Sequence, residues 1–132
     1  MVNVRRFRDE KFGDLGVLEL SELPFECRRV YWISKFVERE IRGNHAHRTL
    51  NQAIVVLRGK VTFSIFRGKS KVDISLSEED DIFFIPPGTW RSFYQEESGS
   101  VLLVACDQAF DEKDYIRNWG EYLNWYSENY ES

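Results

Sequence analysis

The sequence lacks the apolar segments that membrane and secreted proteins carry. No run reaches the ~20 apolar residues that a helix needs to cross a bilayer, and the stretch from Met1 to Arg6 does not have the character of a signal peptide. Only two cysteines occur, Cys27 and Cys106, which is too few for a disulfide framework and is typical of a reducing compartment. We therefore expect a cytoplasmic protein without a membrane partner.

An excess of positive charge is also missing. The 132 residues include 18 Lys and Arg against 22 Asp and Glu, which gives a formal net charge of −4. No overall basic field is therefore available to attract a nucleic-acid backbone, and we expect no nucleic-acid partner. Because domains commonly contain about 100–150 residues, we expect residues 1–132 to form one domain.

Aromatic residues, by contrast, are abundant. Ten Phe, six Tyr and four Trp make up 15% of the chain, and aromatic side chains favour the pleated, half-buried surface of a sheet. About ten short strand-like runs, separated by turn residues, lie between about residues 2 and 106. This pattern predicts an all-β fold built as an antiparallel double sheet.

The last part of the chain has helical periodicity. Aromatic residues recur there at the spacing of one helix face: Tyr115, Trp119, Tyr122 and Tyr126. Asp111 and Asp114 are interpreted as residues of the helix start, where carboxylates are favoured, rather than as catalytic groups. We predict a helix over about 111–127 whose aromatic stripe packs against the sheet.

The only two histidines, His45 and His47, stand two residues apart. In an extended segment such residues point to the same face, so both imidazoles are expected to enter one site. The alternative is a pair of surface histidines on a polar loop.

The spacing around these histidines resembles the metal-binding signatures of the cupin family of small β-barrels. His45-Ala46-His47 matches the opening of the first signature, Gly59 stands at its glycine, and Pro86-Pro87-Gly88 matches the second signature. Two ligand positions differ, because Gln52 replaces Glu and Arg91 replaces His. Arginine has no lone pair to donate and its charge repels a cation, so we expect a site without a metal or other cofactor.

Paired histidines without a metal suit the removal of a proton from a carbon next to a carbonyl, since histidine has a pKa of ~6.5 and is a suitable base near neutral pH. The enediolate that forms needs hydrogen-bond donors, which Arg42, Arg91 and Tyr31 could supply. Arg29 shares a strand face with Tyr31. Because arginine binds phosphate in a bidentate manner, the arginines indicate a phosphorylated or nucleotide-linked substrate.

The hexapeptide Arg42-Gly43-Asn44-His45-Ala46-His47 resembles the Arg-Gly-x-His-Ala-His motif of the dTDP-4-keto-6-deoxy-D-glucose 3,4-ketoisomerases. These are metal-independent, cupin-type enzymes of bacterial deoxysugar biosynthesis. The resemblance extends from about Gly13 to Tyr122. Further segments that resemble the family are Pro24-Phe25, Arg29-Val30-Tyr31, Leu50-Asn51-Gln52, Gly88-Thr89-Trp90-Arg91 and Asp111 to Arg117.

The resemblance implies a cupin-like double-stranded β-helix, or jelly-roll barrel, with a short C-terminal helix. It also implies an isomerase that moves the keto group of a dTDP-linked 4-keto-6-deoxy sugar from C4 to C3 through an enediol. His45 would be the base at C3, and His47 would deliver the proton at C4 or fix the substrate. The residues expected to bind the substrate are Arg29, Tyr31, Arg42, Gln52, Trp90 and Arg91. Family members are dimers, so a homodimer with exchanged N-terminal strands is expected.

Two positions vary relative to the family. Leu15 stands where members tend to have Arg or Tyr, and Arg91 stands where the family has His or Arg. Our hypothesis is that positions 15 and 91 face the C4 carbon and determine which side of it receives the proton. Trp90 has a second interpretation, as a packing residue at the barrel rim.

Two alternative functions stay open from the residues alone. A dTDP-sugar epimerase shares the fold, the substrate class and a histidine base, but it needs a second proton-transfer group on the other face of the sugar. A non-catalytic cupin that binds a nucleotide-sugar is the other alternative, and Leu15 favours it because leucine cannot donate to a sugar hydroxyl.

Overall fold

The structure, a computed structural model, describes residues 3–131. It contains eleven strands and one α-helix in that range. The strands are β1 (Arg5–Phe7), β2 (Leu15–Val17), β3 (Arg29–Ile33), β4 (Arg42–His47), β5 (Gln52–Arg58), β6 (Lys60–Arg67), β7 (Ser70–Ser77), β8 (Phe83–Ile85), β9 (Trp90–Gln95), β10 (Val101–Cys106) and β11 (Tyr115–Ile116), and the helix α1 is Trp119–Tyr130. Two short 3₁₀ helices span Leu20–Glu22 and Glu112–Asp114. Val2, the first residue of the predicted strand region, lies outside the described residues.

Two antiparallel sheets face each other. One has the order β3-β10-β5-β8 and the other β11-β4-β9-β6-β7, so strands that are distant in sequence are neighbours in both. The strands β1 and β2 pair only with each other, as a separate hairpin. This arrangement confirms the predicted all-β, cupin-like double sheet with a short C-terminal helix.

The core fills the space between the sheets toward one end. It is formed mainly by inward-facing side chains of both sheets, since successive residues of a strand point to opposite faces, and by two residues of the connecting segments, Phe36 and Leu50. Its buried members are Phe36, Leu50, Ile54, Val56, Val61, Phe63, Leu76, Ile85, Phe93, Leu102, Val104 and Cys106. The other end of the same space is lined by polar side chains and stays open as a cavity.

The C-terminal helix begins later than predicted. Asp111 caps only the 3₁₀ turn Glu112–Asp114, and Tyr115–Ile116 then pairs with β4 as a strand. The helix starts at Trp119, where the Asn118 side chain accepts a hydrogen bond from the backbone N–H of Glu121 at 2.9 Å. The predicted start at residue 111 is therefore wrong, because pairing with a distant strand uses the backbone groups that a helix would need.

Most of the predicted aromatic stripe lies on α1 and packs against the sheet, but Tyr115 lies in β11 and not in the helix. Tyr122 is fully buried, and its hydroxyl donates to the carbonyl of Gly88 at 2.8 Å and accepts from the N–H of Gly68 at 2.9 Å. Trp90 belongs to the same cluster, with its ring 5.5 Å from that of Tyr122. No helix among residues 3–131 has the length and apolar character required to span a membrane.

Candidate active site

A cavity of about 410 Å³ opens between the two sheets. Its deeper wall is apolar and includes Ile54, Phe63 and Phe93. The polar residues that line it are Arg29, Tyr31, Arg42, His45, Gln52, Arg91, Tyr115 and Arg117. Six of these are predicted from the sequence, and the structure brings them together from four different strands.

A bulge in β4 positions His45. The pairing with β9 shifts between Gly43 and His45, so that Asn44 is an extra residue and His45 lies opposite Arg91. Gly43 and Asn44 both have positive φ, at 89° and 55°. A Cβ at Gly43 would lie 2.9 Å from the carbonyl oxygen of Arg91, so the bulge requires glycine there.

The two histidines point into the same region, as predicted, but their surroundings differ. Their ring centroids are 4.9 Å apart with the planes nearly perpendicular. His45 is half-buried and lines the cavity, whereas His47 is 1% exposed and lies behind it. Tyr115 covers both imidazoles, with ring centroids 5.0 Å from His45 and 4.3 Å from His47.

His47 is held by a buried carboxylate. Its Nδ1 lies 2.9 Å from Oδ2 of Asp114, while its Nε2 is buried and has no hydrogen-bond partner among the described residues. Burial opposes ionisation of Asp114, but hydrogen bonds from Thr49 and the contact with His47 outweigh it and lower the pKa of the carboxyl. Asp114 is therefore a carboxylate at neutral pH.

Both imidazoles are neutral at pH 7. Burial, followed by the nearby positive charge of Arg91, lowers the pKa of His45 to about 3 and that of His47 to about 4. A neutral imidazole has a lone pair available to accept a proton, which a general base requires.

Arg91 is a buried cation at the floor of the site. It is 3% exposed, and its guanidinium donates to the side-chain oxygen of Gln52 and to the carbonyl of Thr89. Gln52 in turn donates from Nε2 to the hydroxyl of Tyr31 at 3.1 Å. Burial lowers the pKa of Arg91 to about 10, so it is charged at neutral pH. No carboxylate of residues 3–131 forms a salt bridge with it, which leaves its charge available to an anionic group.

Three further arginines surround the opening. Arg29 donates to Sγ of Cys106 at 3.6 Å, and its buried Nε has no partner within the described part of the chain. Arg42 is exposed at the start of β4. Arg117 stacks over the ring of Tyr115 at 4.2 Å and is paired with Glu112 at 2.8 Å. Together they make the mouth of the cavity favourable for an anion.

Trp90 is not part of this cavity. It precedes Arg91 on β9 and therefore points to the opposite face of the sheet, where it packs under helix α1 at 5.3 Å from Trp119. Its assignment to substrate binding is wrong, and its interpretation as a packing residue is correct.

Leu15 does not share the cavity with Arg91 within one chain. It is 59% exposed and lines a separate cavity of about 370 Å³, next to Val55 and Leu57 on the outer face of the four-stranded sheet. Within one chain positions 15 and 91 thus line separate cavities, and the hypothesis that both face one substrate carbon stays a prediction. The cavities are separate because the β1–β2 hairpin packs on the outside of the sheet whose inner face lines the site.

Asp114, Tyr115 and Arg117 are site residues that sequence reasoning misses. They belong to a segment that resembles the ketoisomerase family but whose local pattern predicts a helix. The signal that identifies them is β-pairing of Tyr115 with His47, which only the folded chain reveals.

Comparison with known proteins identifies the family of the chain. The family model described as FdtA, WxcM-like, C-terminal matches residues 1–127. A curated relative, the TDP-4-oxo-6-deoxy-alpha-D-glucose-3,4-oxoisomerase of Aneurinibacillus thermoaerophilus, is 28% identical over 122 residues, which cover 92% of this chain and 88% of that protein. The chain belongs to this family of sugar 3,4-ketoisomerases.

Solved structures of such ketoisomerases superpose over most of the chain. A histidine-to-asparagine mutant of QdtA from Thermoanaerobacterium thermosaccharolyticum, in complex with TDP-4-keto-6-deoxyglucose, is 30% identical with a TM-score of 0.90. The match covers 99% of this chain and 95% of that one. The WlaRB TDP-quinovose 3,4-ketoisomerase of Campylobacter jejuni is 34% identical with a TM-score of 0.82, over 93% of this chain and 95% of that one.

Proposed function

We propose that this 3,4-ketoisomerase moves the keto group of TDP-4-keto-6-deoxyglucose from C4 to C3 by histidine-mediated proton transfer, without a metal. The observation that carries the proposal is the pair of neutral imidazoles beside Arg91, a buried guanidinium that has no carboxylate partner in the described chain. A base and a fixed positive charge are the two groups that enolisation next to a ketone requires.

The substrate assignment is supported by the relatives and by the charge of the cavity. QdtA was solved with TDP-4-keto-6-deoxyglucose, and the curated oxoisomerase is named for the same class of sugar. Arg29, Arg42 and Arg117 at the mouth suit a diphosphate, which guanidinium groups bind in a bidentate manner. The sugar would then extend inward toward His45 and Arg91.

The proposed reaction balances without an external reactant. His45 takes the proton from C3, and the negative charge that develops on the C4 oxygen is stabilised by Arg91. The C3 hydroxyl proton moves to the C4 oxygen, with His47 as the second proton carrier behind His45. The protonated base then returns its proton to C4, which yields the 3-ketone and a C4 hydroxyl. Tyr31 and Gln52 hold Arg91 and the sugar hydroxyls in place.

A metal ion, which many cupins bind, does not fit this donor set. The cupin ligand positions are filled here by two histidines, the neutral amide of Gln52 and the cationic Arg91, whose guanidinium contacts Gln52 directly. A divalent cation would be repelled by Arg91 and would find only two strong ligands. The proposed reaction therefore uses no metal ion.

We also propose a cytoplasmic homodimer in which the N-terminal strands are exchanged. The β1–β2 hairpin pairs with no other strand of its own chain among the described residues. Apolar side chains of the hairpin and of the outer sheet face stay exposed: Phe7 57%, Leu15 59%, Val30 42% and Leu57 52%. A second copy would cover this face, and the free thiols of Cys27 and Cys106 suit a reducing compartment.

The test of the proposed reaction is incubation with TDP-4-keto-6-deoxyglucose in D₂O, followed by NMR of the product. Deuterium at C4 of a 3-keto sugar is expected. Label at C3 and C5 of a 4-keto sugar would identify an epimerase instead, and binding without any label would identify a non-catalytic protein. Activity that survives chelator treatment, with less than stoichiometric metal by elemental analysis, is the expected result for metal independence.

A further inference from the structure

The hydrogen bonds of Asp114 specify where the proton of His47 lies. Oδ1 of Asp114 accepts from the backbone N–H of Thr49 at 2.7 Å and from its hydroxyl at 2.8 Å. Oδ2 lies 2.9 Å from Nδ1 of His47. An ionised carboxylate can only accept hydrogen bonds, so Nδ1 must carry the proton and Nε2 must keep its lone pair.

We propose that Asp114 is a positioning residue of the isomerase, which fixes His47 as the Nδ1–H tautomer and thereby makes its Nε2 a proton acceptor. This inference rests on the proposed function, in which His47 is the second proton carrier. Asp114 does not line the cavity and therefore acts only through the imidazole.

The fold holds this carboxylate rigidly. Asp114 is 8% exposed and ends the 3₁₀ turn that Asp111 caps. The backbone N–H of Arg48 donates to its carbonyl at 2.9 Å, and Tyr115 pairs with His47 in the sheet. The carboxylate and the imidazole are thus joined through backbone pairing as well as through their side chains, as precise orientation of a proton carrier requires.

Replacement of Asp114 by asparagine should reverse the tautomer. Because both donors of Thr49 point at the same oxygen position, the amide carbonyl must occupy that position in Asp114→Asn. The amide NH₂ then faces Nδ1 of His47, which has to become the acceptor, and Nε2 gains the proton. The side chain keeps its size while the lone pair at Nε2 is lost.

The expected kinetic result is a loss of kcat of roughly 10²–10⁴-fold, the range that general acid–base groups contribute. KM should change by less than ~3-fold, because Asp114 does not contact the substrate. The matched control is Asp111→Asn. It removes the same charge from the same turn, but Asp111 only accepts from the N–H of Lys113, at 3.0 Å, and an asparagine carbonyl can do the same.

Nitrogen NMR of histidine-labelled protein measures the tautomer without any substrate. We expect Nδ1–H at His47 in the wild-type protein and in Asp111→Asn, and Nε2–H in Asp114→Asn. A wild-type His47 protonated at Nε2 overturns the inference, even if Asp114→Asn does not fold. So does an unchanged tautomer or an unchanged kcat in a folded Asp114→Asn.

Failure of the proposed function is distinguishable from failure of this inference. If the wild-type protein does not isomerise TDP-4-keto-6-deoxyglucose, the proposed reaction is wrong, whereas the NMR comparison still decides whether Asp114 sets the tautomer of His47.

Discussion

The two faces of the four-stranded sheet differ in chemistry although the same strands form both. On β3, Arg29 and Tyr31 turn inward to the cavity, while Val30 turns outward and is 42% exposed. On β5, Gln52 turns inward at the floor of the site. The strict alternation of a strand thus separates a polar reaction site from an apolar surface by the thickness of one sheet.

Because of this difference, we expect inner-face and outer-face substitutions to have separable effects on turnover and association. Inner-face changes should alter turnover and leave association unchanged, and outer-face changes should alter association first. Variants that change one face at a time test that separation.

The largest effect is expected for His45→Asn. Asparagine removes the proton-accepting imidazole from the cavity while it keeps a polar side chain of similar reach, so kcat should fall by roughly 10²–10⁴-fold. Binding of TDP by calorimetry and the thermal melting curve should stay near those of the wild-type protein. Full activity in this variant would refute His45 as the base.

A smaller loss is expected for Arg91→Gln. It removes the buried positive charge from the position opposite His45, and loss of one group that stabilises a developing oxyanion typically costs about 10²–10³-fold in kcat. Arg42→Gln is the matched control at the exposed mouth of the cavity, where KM should rise more than kcat falls. A change mainly in KM for Arg91→Gln and mainly in kcat for Arg42→Gln would contradict the proposed roles.

On the outer face, Leu57→Glu should convert the proposed dimer to a monomer, since Leu57 is 52% exposed and does not line the active-site cavity. A carboxylate in the middle of an apolar interface would be buried without a partner, which opposes association. Light scattering after size-exclusion chromatography measures the mass. Val72→Glu is the control, since Val72 is also apolar and 58% exposed but lies on the other sheet. A wild-type monomer, or a dimer that persists in Leu57→Glu, would contradict the proposed interface.

Local patterns in the sequence are sufficient to predict the strands and most of the inner face. The His45 and His47 spacing, together with the cupin-like positions of Gln52 and Arg91, assigns the central residues of the cavity to one site. Each of these lies within a few residues of a recognisable turn or motif, so its face can be inferred from strand alternation.

The remaining site residues cannot be predicted from local patterns, because non-local strand pairing determines their positions. The carboxylate-rich start at residue 111 is a valid helix signal, but β11 pairs with β4 instead, and this places Asp114 beside His47. Leu15 is expected beside Arg91 from the sequence, yet the hairpin lies on the outer face. In both cases the position of the residue depends on pairing or packing with a segment that is distant in sequence. A short stretch of sequence does not contain that information.

The pH dependence of stability should report the inner-face histidines. In the unfolded chain both titrate near ~6.5, whereas in the folded protein burial lowers the pKa of His45 to about 3 and of His47 to about 4. The unfolded state therefore binds more protons from pH 6.5 down to about 4 at His47 and to about 3 at His45. The contribution of the neutral imidazoles to the free energy of unfolding is complete above pH 6.5 and is lost as the pH falls through this range. Urea unfolding measures the free energy of unfolding at pH 7 and at pH 5. The difference between these two values should be smaller for the double variant His45→Asn/His47→Asn than for the wild-type protein. An equal difference in both proteins would contradict neutral buried histidines.

The smallest effect on activity is expected for Trp90→Phe, which tests the two faces of β9 in the five-stranded sheet. Trp90 and Arg91 are consecutive on β9 but point to opposite faces, so only Arg91 can reach the substrate. Phenylalanine leaves a gap beside Trp119 and Tyr122, which should lower the free energy of unfolding by about 1–3 kcal/mol. Since the cavity is unchanged, kcat and KM should stay at wild-type values at temperatures below the melting transition. An increase in KM without a loss of stability would instead indicate that Trp90 contacts the substrate, and would contradict the assignment of Trp90 to the opposite face of β9.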